Sequence, residues 1–209
     1  KAFEISLMGA DYLDWYNEMN IAKDNEYSAI EYAEELLSNI KDLDDLSIIS
    51  ACKMVGYDVC YRAGVPKYKP VENINPDKDT ISNIRTMVQR CIDFNSNFGS
   101  ITHIGFTFSK DAYTDLICAG DGDFLTKDTM WDLKVSKFSL YGNRRVNEWT
   151  LQLFVYYLLG CHSVDEYPEF GNIKKLGFYN PRLNEVYIAD IDNIPRTVFQ
   201  KVETEVIGY

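Results

Sequence analysis

The chain contains the stretch Ala119-Gly-Asp-Gly-Asp-Phe-Leu-Thr-Lys-Asp-Thr-Met-Trp-Asp-Leu-Lys-Val-Ser136, which predicts two short strands joined by a tight turn. From Trp131 onward apolar and polar residues alternate, which is the pattern of a strand with one face suited to burial. The alternation assigns the six residues to two faces: Trp131, Leu133 and Val135 to the apolar one, and Asp132, Lys134 and Ser136 to the polar one.

A turn centred on Lys127-Asp128 would set Asp123 directly opposite Asp132, with cross-strand Cβ atoms about 4.5–5.5 Å apart. Two facing carboxylates repel each other, and a divalent cation is the usual compensation. Hard oxygen ligands suit Mg²⁺ or Mn²⁺. Asp121 has the same strand parity as Asp123 and is the rival ligand. Lys134 would lie beside the ion, where an amine can orient or deprotonate water or stabilise charge on phosphorus.

Three short motifs follow one another in order: Gly120-x-x-Asp123, Asp132-Leu-Lys134 and Gln152-x-x-x-Tyr156. This ordered set resembles the signature of the PD-(D/E)XK nuclease superfamily, in its RecB-like branch. The resemblance implies that Asp123 and Asp132 hold the metal and that Lys134 is catalytic. It also implies that Gln152 binds near the active site or the DNA backbone, supported by Tyr156.

The resemblance has a gap in the first core helix, where many relatives supply an acidic residue or a histidine. The predicted helix Thr80–Phe94 has no Glu and no His. Glu31 or Glu35 from an earlier helix would be the replacement, although both also fit an ordinary solvated helix face. Two carboxylates predict one ion, and a second ion would need further ligands.

The fold class expected is α/β, of the α+β type with a mixed sheet, and the resemblance implies a restriction-endonuclease-like αβββαβ core with an N-terminal helical addition. Residues 1–76 form the addition and residues 77–209 the core. Helical spacing and alternation predict these elements: helices Tyr12–Met19, Asn25–Ile40, Leu43–Val55, Thr80–Phe94, Asn147–Leu159 and Pro195–Ile207, and, besides the central hairpin, strands Val59–Ala63, Ile101–Ser109, Thr114–Ala119, Ile173–Tyr179 and Glu185–Ile191.

The composition indicates which kinds of ligand and cofactor the chain can bind. The net charge of −11 argues against a protein that coats nucleic acid, but Lys137, Arg144 and Arg145 form a basic stretch after the proposed metal site and are candidate phosphate contacts. The five cysteines are scattered, without C-x-x-C, so neither an iron–sulfur cluster nor zinc is expected. His103 and His162 are interpreted as structural residues, His103 within the core.

These observations predict a cytoplasmic, Mg²⁺- or Mn²⁺-dependent nuclease that acts on DNA, including single strands or DNA ends. No apolar run is long enough for a membrane span. The alternative is a non-catalytic protein on the same scaffold, which acts through a protein partner or as a homo-oligomer. Its docking surface would be the acidic N-terminal half.

Overall fold

The computed structural model describes residues 3–19, 28–140 and 145–209, and within them the chain is a mixed α/β protein with seven α-helices and a five-stranded mixed sheet. Two compact units are present, Lys1–Thr86 and Met87–Tyr209. The boundary between them falls inside the helix that opens the predicted core. None of the described helices is both long and apolar enough to cross a membrane.

Unit 1 is helical. Its first four helices are α1 Glu4–Met19, α2 Ala29–Asn39, α3 Asp45–Gly56 and α4 Asp58–Ala63. Side-chain caps fix the start of α2, because Ser28 accepts a hydrogen bond from the Glu31 N–H and the Asp14 carboxylate accepts those of Ala29 and Ile30. The predicted start of α2 at Asn25 lies outside the described residues.

The predicted strand Val59–Ala63 is wrong, since this segment is the helix α4. Tyr57 and Cys60 are both buried at helical spacing, and they pack in the core that α1 and α2 share. A Cβ added at Gly9 of α1 would lie only 2.1 Å from the Tyr57 carbonyl oxygen. Packing of this kind depends on residues distant in sequence, which the local pattern does not report.

Unit 2 contains the sheet. Helix α5 spans Lys78–Phe98 and belongs to unit 2 from Met87 onward. The elements that follow are β1 His103–Phe106, β2 Gly122–Leu125, β3 Thr129–Leu133, α6 Val146–Cys161, β4 Lys175–Asn180, β5 Glu185–Asp190 and α7 Arg196–Val202. Helix α7 continues as a π-helical turn over Glu203–Ile207. The strand order is β1-β2-β3-β4-β5. Neighbouring strands are antiparallel except β3 and β4, which are parallel and joined through α6.

Both faces of this sheet are covered, one by α5 and the other by α6. On the first face Phe94 of α5 packs against three sheet residues, Phe124, Trp131 and Tyr179. On the second face the sheet contributes Leu125, Met130, Leu176 and Phe178 to a cluster that includes Leu153, Phe154 and Leu158 of α6. Asp123 and Asp132 have the parity of this second face.

The predicted strand Thr114–Ala119 is also wrong. A short 3-10 helix spans Lys110–Ala112, and the next residues form a turn in which the Thr114 N–H donates to the Ile117 carbonyl. The Thr114 hydroxyl accepts hydrogen bonds from the N–H groups of Leu116 and Ile117. A threonine side chain that bonds to nearby backbone groups in this way competes with strand pairing.

Burial along β3 differs from the expected pattern. Trp131 is buried, but Leu133 and Val135 on the same side are 37% and 56% exposed. Asp132, on the side expected to be polar, is buried. The reason is that α6 covers the Asp132 side of the sheet, whereas the aromatic cluster that α5 forms ends at Trp131.

The placement of His103 and the bounds of the predicted helix Asn147–Leu159 are corrected as well. His103 is not in the core: it is exposed, with Nε2 3.0 Å from a Glu169 carboxylate oxygen. Helix α6 begins one residue earlier, after the N-cap Arg145. It also continues past Leu159 through Gly160, where a Cβ would come within 2.5 Å of the buried Phe170 ring.

Candidate functional site

The central hairpin has the register that the sequence predicts. Phe124 pairs with Trp131 and Leu125 pairs with Met130, so the next facing pair along the ladder is Asp123 and Asp132. The turn is closed by a hydrogen bond of 3.0 Å from the Thr126 N–H to the Thr129 carbonyl. Two acids of the same sheet face are therefore held opposite each other by local backbone geometry.

Asp123 is exposed and tied to the neighbouring strand. One of its carboxylate oxygens accepts a 2.6 Å hydrogen bond from the N–H of Leu133, the residue after Asp132. Asp121, the rival ligand, precedes β2 and is exposed. Burial is the main reason that the pKa values of Tyr113 and Asp132 are raised; the charge of Asp121 adds to the shift of Tyr113, and the charge of Asp123 adds to that of Asp132. The strand register pairs Asp132 with Asp123.

Asp132 is the buried member of the pair, with 7% of the residue exposed. Its Oδ1 accepts a 3.0 Å hydrogen bond from Lys134 Nζ. Its Oδ2 is buried and lies 2.7 Å from the same nitrogen, so the ammonium contacts both carboxylate oxygens.

The pKa of Asp132 is raised above its ordinary value, mainly because burial penalises the charged form. The hydrogen bond and the charge of Lys134 oppose this shift, and the negative charge of Asp123 adds to it. The desolvation of Asp132 therefore outweighs its ion pair. A second positive charge at Oδ2 would stabilise the ionised carboxylate.

Lys134 connects the hairpin with α6. Its Nζ donates to Gln152 Oε1 at 3.2 Å, and Gln152 Nε2 donates to the Tyr156 hydroxyl at 3.3 Å. Gln152 and Tyr156 lie one turn apart on the same helix face. A continuous chain of polar contacts thus joins the second and third sequence motifs.

Gly120, the first residue of the first motif, is in contact with Tyr156, the last residue of the third. A Cβ at Gly120 would lie 2.9 Å from Cε1 of the Tyr156 ring, which itself packs against Phe108. The Gly120 carbonyl also accepts a 3.1 Å hydrogen bond from the Tyr113 hydroxyl. A side chain at this position would therefore displace the Tyr156 ring or the backbone that leads into β2.

Gly120→Ala is accordingly expected to lower the free energy of unfolding by about 1 kcal/mol or more, the usual effect of overpacking. It should also weaken the Gln152–Tyr156 hydrogen bond. Gly171→Ala is the matched control, because its added Cβ meets only Val164 at 3.6 Å, an ordinary contact. Urea unfolding of both variants measures the difference, and equal stabilities would contradict the close contact at Gly120.

The basic residues predicted after β3 are less closely connected to the acids. Lys137 is exposed, with Nζ 5.1 Å from the centre of the Phe138 ring. Arg145 is exposed at the N-cap of α6, and Arg144 lies outside the described residues. Lys137 and Arg145 are thus on the segment that leads from the hairpin into α6.

Few of the described side chains are placed to bind a metal ion. Among the described residues no group of three or more His, Cys, Asp or Glu side chains is placed to share a metal ion. Glu31 and Glu35, the proposed replacements for the missing helix acid, line a cavity in unit 1. The two facing carboxylates of the hairpin, Asp123 and Asp132, suit an ion such as Mg²⁺, which keeps several of its waters and binds to one or two protein carboxylates.

The sequence interpretation missed Trp149. Its ring centre lies 6.0 Å from Lys134 Nζ, and it precedes Gln152 by three residues on α6. Helical spacing from Gln152 was the available signal, because residues three apart share a face.

Comparison of the chain with protein-family models, with curated proteins and with solved structures found no match.

Proposed function

We propose that the chain is a Mg²⁺- or Mn²⁺-dependent nuclease of the PD-(D/E)XK type, RecB-like, that hydrolyses phosphodiester bonds in DNA. One observation carries this proposal: Asp132 is buried, faces Asp123 across the hairpin and lies beside the Lys134 amine. A buried carboxylate opposite a second acid is unfavourable. A functional ion at this position would account for the arrangement.

The order of the elements supports the same proposal. Helix α5, the antiparallel strands β1, β2 and β3, helix α6 and the parallel strand β4 follow one another along the chain. This order resembles the αβββαβ core that the motif resemblance implies. The first motif ends in β2, the second begins in β3 and the third lies on α6, and this distribution supports the proposal.

Asp123 and Asp132 would hold the ion. When bound, Mg²⁺ or Mn²⁺ would polarise a phosphodiester and lower the pKa of a water molecule. The chain's own residues prepare the site: the Leu133 N–H holds the Asp123 carboxylate in place, and burial gives Asp132 an environment in which electrostatic interactions are strong.

Lys134 would orient the attacking water and stabilise negative charge on the phosphate. Gln152 fixes the direction of this amine by accepting one of its hydrogen bonds, and Tyr156 in turn fixes the Gln152 amide. Lys137, Arg144 and Arg145 would bind phosphates of the strand along the segment between β3 and α6. The setting proposed for this activity is the cytoplasm.

Asp123→Asn tests the proposal against a matched control. Asn cannot supply the charge that a divalent ion needs, so Mn²⁺-dependent hydrolysis of labelled single- and double-stranded DNA should fall by roughly 10²-fold or more. Asp121→Asn removes an equally exposed charge two residues away and should leave the rate within about twofold. Activity that is unchanged in Asp123→Asn, or lost equally in both variants, would contradict the assignment of the ligand.

A binding protein without catalytic activity is the second candidate, and a feature of unit 1 favours it. Trp15 is 52% exposed and stacks on Tyr12, with ring centres 5.4 Å apart, and Asp11 and Glu18 line the same groove of about 800 Å³. An acidic groove with an exposed indole suits a basic protein partner. Absence of calorimetric Mn²⁺ binding, together with a partner whose binding is lost in Trp15→Ala, would favour this candidate.

A further inference from the structure

Trp149 places a fixed aromatic surface beside the proposed catalytic amine. Its ring centre is 6.0 Å from Lys134 Nζ. The indole packs against the main core of unit 2 yet remains partly exposed. Packing of this kind limits the motion of the ring, so a ligand that stacks on its exposed part meets a surface that is already ordered.

The segment after β3 carries another exposed ring beside an amine. Phe138 is 62% exposed. Lys137 holds its ammonium group 5.1 Å from the centre of the Phe138 ring. An exposed ring next to an amine is the combination with which proteins bind single-stranded nucleic acids, the ring stacking on a base and the amine contacting a phosphate.

We propose that Trp149 is a further substrate-binding residue, on which the base next to the scissile phosphate stacks when the strand is unpaired at the site. This inference rests on the proposed nuclease function and adds a residue to the same site. In a duplex both faces of each interior base are covered by its neighbours in the stack. A strand that is unpaired at the site can instead turn one base onto the indole while its phosphate lies near Lys134.

Trp149 would then act as a substrate-binding residue. A purely structural Trp149 would affect single strands and duplexes equally, because it would act only through the fold. A stacking Trp149 affects single strands far more, since base–aromatic stacking is available to unpaired bases of any sequence. Strand selectivity therefore separates the two roles.

The experiment compares Trp149→Ala, Trp149→Phe and Ile104→Ala in the full chain. The probes are a labelled dT oligonucleotide and a blunt duplex of the same length, measured for binding in EDTA by anisotropy and for hydrolysis with Mn²⁺. Trp149→Ala should weaken binding of the single strand about tenfold and raise its KM similarly, as loss of one stacked base predicts. Trp149→Phe keeps an aromatic face and should retain most of the binding, and Ile104→Ala, which removes an exposed apolar side chain of β1, should match the wild type.

Two results would overturn the inference: equal losses on both probes in Trp149→Ala, or single-strand binding that Trp149→Ala leaves unchanged. The stacking inference and the nuclease proposal can fail independently of each other. A chain that binds the single strand through Trp149 but shows no hydrolysis with either metal would retain the stacking site and refute the enzyme. Hydrolysis that is indifferent to Trp149 would retain the enzyme and refute the stacking site.

Discussion

Lys134→Met is expected to lower the free energy of unfolding by about 3–5 kcal/mol near neutral pH, as removal of one partner of a buried ion pair usually does. The side chains of Lys134 and Asp132 are only 19% and 11% exposed, so water would solvate the remaining Asp132 carboxylate poorly once the amine is removed. Met has a similar length without the amine, and Asp132 would be left ionised and unpaired. Urea denaturation followed by circular dichroism measures the loss.

Two variants and a pH series test this explanation. Adding Asp132→Asn to Lys134→Met removes the unpaired charge and should restore most of the stability. Lys175→Met breaks an ion pair whose side chains are 39% and 42% exposed, and it should lower stability by less than about 1 kcal/mol. A loss in Lys134→Met no larger than in Lys175→Met would contradict the burial of the pair.

The pH dependence of the Lys134→Met variant has a definite sign. Burial raises the pKa of Asp132 in the folded protein, so the folded state takes up the proton more readily than the unfolded state. The destabilisation caused by the unpaired charge is therefore present above the folded pKa and disappears as the pH falls toward the unfolded value. Lys134→Met should approach the wild-type stability on acidification, and a difference that widens instead would contradict the raised pKa.

The central hairpin could be predicted from sequence because its determinants are local. Alternation fixes which residues share a face, and the two-residue turn at Lys127-Asp128 fixes the register. Those two facts are enough to set Asp123 opposite Asp132. The helical spacing of Gln152 and Tyr156 is local in the same sense.

The burial of Asp132 could not be predicted, because it depends on α6, a helix that follows β3 at a distance and returns across the polar face. Alternation indicates which residues share a face but not which element will cover it. The same limit explains Leu133, whose apolar side has no cover beyond Trp131. It also explains α4, where the packing of Tyr57 against Gly9 joins residues distant in sequence.

The contact between Gly120 and Tyr156 shows a further limit. Gly120 and Tyr156 are 36 positions apart in the sequence and belong to different motifs. Nothing in that spacing predicts that the glycine would face the tyrosine ring. The structure supplies a steric reason for a glycine at Gly120. Motif residues that resemble a family's pattern can therefore have packing roles as well as chemical ones.

Asp132→Asn is expected to abolish Mn²⁺ binding and to reduce metal-dependent hydrolysis by a factor on the order of 10³, because loss of a Lewis acid removes several kcal/mol of transition-state stabilisation. Asn has the same shape and can still accept a hydrogen bond from Lys134, which also donates to Gln152. The fold should therefore survive with reduced stability, because one charge of the buried pair is lost. Circular dichroism with urea denaturation measures this loss separately from metal binding. Asp128→Asn is the control, since Asp128 pairs with Lys175 at the hairpin turn.

The wild-type protein provides an independent check on the same ligand. A proton competes with the ion for Asp132, and burial raises the pKa of this carboxyl group. Calorimetric Mn²⁺ affinity should therefore begin to fall on acidification well before the ordinary aspartate pKa of about 3.9 is reached. Asp121→Asn should leave that profile unchanged. Because Asp132→Asn removes the titrating group, any Mn²⁺ binding that remains should lose this pH dependence, and a profile identical to the wild type would exclude Asp132 as the ligand.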